Sequence, residues 1–327
     1  MNEFSKEKKY ILFGAGEIGR KALDFFGGEN VAFFCDNNRI GQYVEAKEII
    51  SVHQLKKIYK DYRVVITILK AKFMVEIVMQ LYRLEIPFSL LEEIMGAFVE
   101  HDLQKYNFLN KKKNFVYDQN YAYPIALDRM ENAGVLGSYF WQDLWAAQHI
   151  YNNKPVVHFD IGSRIDGFIA HLLSFGQKVS LLDIRPLSHN IPGVEFIQCD
   201  ATNLENIEDN SVESLSALCS LEHFGLGRYG DPIDPDACFK CFEAIQKKMK
   251  KDGQIYISVP IGKEHLEYNA HRVFAAKTIV SSFDKMKMLE FSSAYNENMQ
   301  YHNDIHEYDE FTEKGGNLFG LFVFKKI

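Results

Sequence analysis

The first residues with a chemical use are three glycines. Gly14, Gly16 and Gly19 complete a GxGxxG turn between a short apolar run and a helical pattern, and Asp36 follows 22 residues after Gly14. In such a turn the first glycine permits the tight bend. The second lets a phosphate reach backbone N–H groups, and the third lets helix meet sheet. A carboxylate at the end of the next strand can then accept two ribose hydroxyls. A second group lies beyond residue 155. Asp160, Asp183 and Asp200 each close an apolar run, and Gly162 and Gly167 follow the first of them. A carboxylate accepts two donors at once, which suits a diol or an amine. His223 ends a Leu221-Glu222-His223 triplet. An imidazole titrates near working pH, so His223 is the first choice for a general base, with His265 and His271 behind it. The glycine-rich loop Gly225 to Asp236 carries Asp231, Asp234 and Asp236. These acids suit Mg²⁺ or substrate hydroxyls, but Pro232 and Pro235 suit a plain turn equally, with Asp236 as a helix cap. His302, His306, Glu307 and Asp309 share one polar segment, which reads as a surface loop between two strands.

These residues need strand ends and helix starts to hold them. Strands are expected over 10–13, 31–34, 63–68 and 88–91, with helices after Gly19, after Ser51 and over 73–84. That alternation predicts a small, mainly parallel N-terminal sheet of about four strands over residues 1–95. Residues 96–153 read as a linker that ends in a covering helix over 139–151. From 154 to 327 the alternation resumes. Strands are expected over 156–159, 179–182, 194–198, 214–218, 254–259, 287–293 and 318–325, and helices over 167–175, 236–249 and 275–283. The fold class is therefore α/β, with one small sheet and one seven-stranded sheet.

Composition excludes several partners. The chain has 327 residues, 37 Lys plus Arg against 44 Asp plus Glu, and a net charge of −7. No broad basic face for nucleic acid is expected, and the clusters Lys111 to Lys113 and Lys247 to Lys251 read as solvated surface. The polar stretch Met1 to Lys9 does not have the character of a secretory signal. The apolar region 64–84 is interrupted by Lys70, Lys72 and Glu76, so no membrane span is expected. Five cysteines without framework spacing point to a reducing, cytoplasmic setting, and Cys238 and Cys241 read as buried helix positions rather than half of a zinc site. A homo-oligomer is compatible with the sequence but not required by it.

The second alternation resembles the class I S-adenosylmethionine (SAM) dependent methyltransferases, over residues 155 to 293. Asp160-Ile161-Gly162-Ser163 with Gly167 is similar to the turn that meets the methionine part of SAM, although Arg164 stands where glycine is usual. The Ser163-Arg164-Ile165-Asp166-Gly167 form resembles a set of uncharacterised bacterial methyltransferase-like domains. The resemblance implies that Asp183, followed by Ile184, takes the ribose hydroxyls. It implies that Asp200 and the Ala201 N–H meet the adenine, and that Leu221 and His223 lie beside the transferred methyl. Asp252-Gly253 leading into Pro260, and His271-Arg272-Val273-Phe274, resemble later segments of the same family. The N-terminal segment, with Cys35-Asp36-Asn37-Asn38, resembles the small Rossmann-like domains that sugar-modifying acyltransferases use near nucleotide-sugars.

The expectation is a SAM-dependent methyltransferase acting on an oxygen of a small or sugar-like acceptor, free or nucleotide-linked. Its cofactor-binding residues are Asp160, Gly162, Ser163, Gly167, Asp183, Ile184, Asp200, Ala201 and Leu221, and its catalytic residue is His223. No metal is assigned. Two alternatives stay open: a non-catalytic binding or regulatory protein on the same fold, and an NAD(P)-dependent oxidoreductase that uses Gly14, Gly16, Gly19 and Asp36.

Overall fold

Apolar runs of four or five residues, too short for helices, build the first sheet. The computed structural model describes residues 8–112, 114–134 and 136–327. Lys113 of the basic cluster and residues 1–7 of the polar N-terminal stretch lie outside the described residues. Two compact units divide the chain, Met1–Gly134 and Val135–Ile327. The stretch 96–153 is thus shared between them.

In the first unit, β1 (Tyr10–Phe13) leads into α1 (Glu17–Phe26), then β2 (Val31–Cys35), β3 (Tyr43–Val44) and β4 (Lys47–Ile50). Next come α2 (Val52–Ile58), β5 (Arg63–Ile66), α3 (Ala71–Arg83), β6 (Ser89–Leu90) and α4 (Leu91–Leu109). Ser51 and Gln54 form a reciprocal capping box that starts α2. The strand order is β3-β4-β2-β1-β5-β6, parallel except for the β3–β4 pair. Among the described residues six strands replace the four or so expected. The added hairpin turns through Glu45 and Ala46, both at positive φ (47° and 64°). Neither is the Gly or Asn that normally marks such a turn, so the sequence carries no local signal for it. Along β1, Tyr10 and Leu12 pack on one face and Ile11 and Phe13 on the other, as a strand buried on both sides requires.

Gly19 tests this packing. A Cβ there would stand 2.0 Å from the Gly14 carbonyl oxygen. Helix α1 can keep its place only with no side chain at Gly19. Gly19→Ala is expected to destabilise the first unit by roughly 1–3 kcal/mol, read as a lower midpoint in chemical denaturation. An unchanged midpoint would show that the close approach is not required.

The second unit opens with α5 (Ser138–Asn153), β7 (His158–Ile161), α6 (Gly167–Ser174), β8 (Val179–Asp183), β9 (Val194–Gln198) and β10 (Val212–Leu218). It continues with α7 (Ala237–Lys248), β11 (Met249–Pro260), the small pair β12 (His265–Glu267) and β13 (His271–Val273), α8 (Ala276–Ser282), β14 (Met286–Tyr295), β15 (Asn298–Gln300) and β16 (Leu318–Lys326). The sheet order is β15-β14-β16-β11-β10-β7-β8-β9, with β16 antiparallel to both neighbours. Leaving β15 aside and counting along the unit, this is 3-2-1-4-5-7-6. Seven strands were expected and eight are present, because β14 turns back at Asn296 (φ 51°) to pair with β15.

Side chains alternate along β16. Phe322 and Phe324 join Cys241, Phe242 and Ile245 of α7, while Leu321 and Val323 join Trp145 of α5 and Phe168 of α6. The sheet is therefore covered on both faces, and its order reverses between β7 and β10. Ligands of open α/β sheets bind at the carboxyl ends of strands beside such a reversal. Cys238 and Cys241 are both buried in the α7 face of this core, as their helical spacing suggested. Among the described residues no helix is long and apolar enough to cross a membrane.

Candidate functional site

At the end of β7 the chain bends at Gly162 (φ 81°), where a Cβ would come within 2.9 Å of the Ser220 Cβ. Ser220 leaves β10 and donates to the Ile161 carbonyl at 2.7 Å, while Gly162 N–H donates to Leu182 at 2.8 Å. Three strand ends are thereby tied together at the reversal point. Asp160 is fully buried behind this turn. It accepts from the Ser163 N–H at 3.1 Å and from the Ser216 hydroxyl, and Ser216 in turn meets His158 at 2.8 Å. Burial pushes Asp160 up to about 6 and His158 down to about 3. Asp160 was expected to touch cofactor. It instead braces the turn from inside and does not line the cavity.

The cavity in front of the turn has a volume of about 940 Å³. Gly162, Ser163, Gly167, Asp183, Ile184 and Asp200 line it, as do Ala201 and His223. Leu221, expected beside them, is wholly buried in the core and does not. The Arg164 side chain, at the place where the family favours glycine, points largely into solvent, 3.4 Å from Asp166. Gly167 opens α6 with Asp143 of α5 packed over it, and a Cβ at Gly167 would meet the Asp143 Oδ2 at 2.8 Å. Burial pushes Asp143 up to about 6, partly offset by the hydrogen bonds from Gln142 and from the Phe168 backbone.

Asp183 ends β8 with its carboxylate already engaged. Arg185 donates to it from its backbone N–H at 2.8 Å, from Nε at 2.9 Å and from Nη2 at 2.5 Å. The same guanidinium lies 4.7 Å from the centre of the Tyr229 ring. Asp200 caps its own turn, accepting from the Thr202 N–H at 2.9 Å, and Ala201 is buried beneath it. Two of the loop acids are engaged locally, while Asp236 stands at the N-cap of α7 without a side-chain cap hydrogen bond. Asp231 accepts from the N–H groups of Gly225 (2.8 Å), Gly227 (3.3 Å) and Tyr229 (3.2 Å), and Asp234 pairs with Lys240 at 2.6 Å. Among the described residues no His, Cys, Asp and Glu cluster is arranged to hold a metal ion.

The triplet after β10 forms a single 3₁₀ turn, Leu221–His223. His223 Nδ1 meets the Ala270 carbonyl at 2.7 Å, which makes Nδ1 the donor and leaves Nε2 as acceptor. Burial holds its pKa down at about 4, so the ring is neutral at pH 7. His223 Nε2 lies 3.5 Å from Glu222 Oε1. Glu222 is 2% exposed and lines the cavity, and its Oε2 has no hydrogen-bond partner among the described residues. His271 of β13 also lines the cavity, with its Nε2 3.3 Å from Glu267 Oε2. His265 lies apart, its Nδ1 against the Lys263 carbonyl at 2.6 Å.

In the first unit, Asp36 Oδ2 accepts from the Ala15 N–H at 3.1 Å and Oδ1 from the Asn38 N–H at 2.9 Å. Gly14 takes φ 117° against Ile68 and Thr67. A Cβ on Gly16 would meet nothing within 4 Å, so the space a phosphate would need above it is open.

Comparison with known proteins gives three findings. Residues 191–326 match a family described as Caenorhabditis protein of unknown function, DUF268. No curated protein matches the chain. Among solved structures, the chain is similar to the 1,6-didemethyltoxoflavin-N1-methyltransferase of Burkholderia thailandensis, solved with 1,6-didemethyltoxoflavin and S-adenosylhomocysteine. Identity there is 17%, over 58% of this chain and 83% of that one, with a TM-score of 0.40. It is also similar to the N-methyltransferase NodS of Bradyrhizobium japonicum, in complex with S-adenosylhomocysteine, at 10% identity over 58% and 88% with a TM-score of 0.39. A SAM-dependent methyltransferase of Methanosarcina mazei is 15% identical over 55% and 97%, with a TM-score of 0.39.

Several cavity residues have no part in the sequence reading, among them Tyr139 and Asp143 of α5, Arg185 and Tyr229. Glu222 was visible in the triplet but was passed over for its neighbour. Arg185 lies two residues beyond Asp183, so a basic residue that close to a proposed acceptor was the available signal. Asp143 had none, because only tertiary packing brings α5 over Gly167.

Proposed function

We propose that the second unit binds SAM in this cavity and transfers its methyl group to an oxygen of a small or sugar-like acceptor. One observation carries the reading. The Gly162 turn, Asp183, Asp200 and the Glu222–His223 pair, from the ends of four strands, line one cavity beside the sheet reversal. Small-molecule sites run to roughly 300–1,000 Å³, so a cavity of about 940 Å³ has room for a nucleoside cofactor and an acceptor together. The donor set fits the cofactor. SAM is a cation with an amino group, a sulfonium and a ribose diol, and the carboxyls of Asp143, Asp183, Asp200 and Glu222 are acceptors placed along the wall. Asp183 would take the ribose, Asp200 and Ala201 the adenine, and the Gly162–Ser163 turn the methionine part.

A specific observation favours a second reading, a binding protein that has kept the fold without the reaction. Arg185 already occupies much of the Asp183 carboxylate, which the cofactor would have to share or release. Titration calorimetry with SAM tests both. Micromolar binding supports the methyltransferase, and absence of binding at millimolar SAM removes its basis. For the first unit we propose nucleotide or nucleotide-sugar binding at Gly14, Gly16, Gly19 and Asp36, supported by the open space at Gly16. UDP-glucose and NADH titrated into wild type and Asp36→Ala check that proposal, and NADH binding alone would favour redox use.

A further inference from the structure

Glu222 lines the cavity while almost wholly buried, and its Oε2 has no hydrogen-bond partner among the described residues. A buried acceptor left without a donor is costly, and a carboxyl more so. Such an atom in a cavity wall is explained by a donor that arrives with a ligand. Its neighbours leave that role open. His223 Nε2 is 3.5 Å from the other carboxyl oxygen, the Arg228 guanidinium donates to the Ala270 carbonyl at 2.9 Å, and His271 is 3.3 Å from Glu267. None of them donates to Oε2.

We propose that Glu222, rather than His223, is the catalytic residue that holds and accepts the proton of the acceptor's O–H or N–H group. This rests on the reading of the cavity as a SAM site. When bound, SAM supplies a methyl group on a sulfonium sulfur, so the C–S bond breaks as the new bond to the acceptor forms and sulfur keeps the electron pair. The proton released by the acceptor passes to the Glu222 carboxylate. Burial alone pushes this carboxyl up to about 8, and a cation nearby favours its ionised form. His223, with Nδ1 committed to Ala270, presents only the Nε2 lone pair to Oε1 at 3.5 Å, so it is a positioning residue that donates nothing to the carboxylate.

The test needs no acceptor. Sinefungin carries an amine-bearing carbon where SAM has its methylsulfonium, and S-adenosylhomocysteine has neither positive group there. If Glu222 faces the transferred methyl, wild type prefers sinefungin over S-adenosylhomocysteine by about tenfold or more, since a charge-assisted hydrogen bond is worth roughly 1.5–3 kcal/mol. Glu222→Gln is expected to abolish that preference and leave S-adenosylhomocysteine affinity within about threefold. It is also expected to melt higher than wild type at pH 8.5, because an unpartnered charge is removed. No preference in wild type, a preference that survives in Glu222→Gln, or a variant that melts lower overturns the proposal. Failure of both ligands to bind wild type sinks the SAM reading itself.

Discussion

Asp183→Ala is expected to lower SAM affinity by about 100-fold or more. Two ribose hydroxyls donating to one carboxylate are each worth roughly 1.5–3 kcal/mol, and losing both corresponds to at least two decades. A second effect acts in the same direction. In wild type, Asp183 receives three hydrogen bonds from Arg185, whose guanidinium lies at the cavity wall against Tyr229. Removing the carboxylate leaves that cation unpaired where a cationic cofactor must bind. The two effects separate in a double-mutant cycle. Asp183→Ala with Arg185→Ala is expected to regain about tenfold of the loss, which is the part due to the stranded charge. Calorimetric SAM affinities of the four proteins measure it. Undiminished binding in Asp183→Ala would place the ribose elsewhere.

What the sequence showed and what it hid have different physical origins. Seven strands of the second sheet were legible because each carries an apolar run, whereas β15, Asn298–Gln300, has none. Asp183 and Asp200 were visible at the ends of two of these runs, and they line the cavity. Asp160 looked the same in sequence, yet it is wholly buried, since Ser216 and the Ser163 N–H reach it from inside the sheet. The difference depends on which face of the turn each carboxylate takes. The choice of His223, ahead of His265 and His271, followed unperturbed titration behaviour, and Glu222 was given no role. Burial reverses that ranking, taking the imidazole down to about 4 and the carboxyl up to about 8. The β3–β4 hairpin was hidden because Glu45 and Ala46 adopt positive φ without the residues that usually do so.

That reversal predicts opposite pH slopes for stability and for cofactor binding. Between about pH 7.5 and 8.5 the buried histidines His158, His223 and His271, all shifted down from 6.5, are neutral when folded and largely neutral when unfolded. Asp143 and Asp160, raised to about 6, are largely ionised there. Glu222 is the raised carboxyl that titrates across this window. Its ordinary value is 4.5, so the unfolded chain has released this proton while the free folded protein keeps it. The folded state binds more protons, and its contribution to stability therefore falls as pH rises toward about 8. A cationic cofactor prefers the ionised carboxylate, so binding releases the proton and affinity rises over the same window, by at most about tenfold per pH unit. Thermal melts of the free protein, and SAM titrations in buffers of different ionisation enthalpy, measure the two slopes. Both are expected to flatten in Glu222→Gln. A SAM affinity independent of pH in wild type would mean that this carboxyl does not face the cofactor's charge.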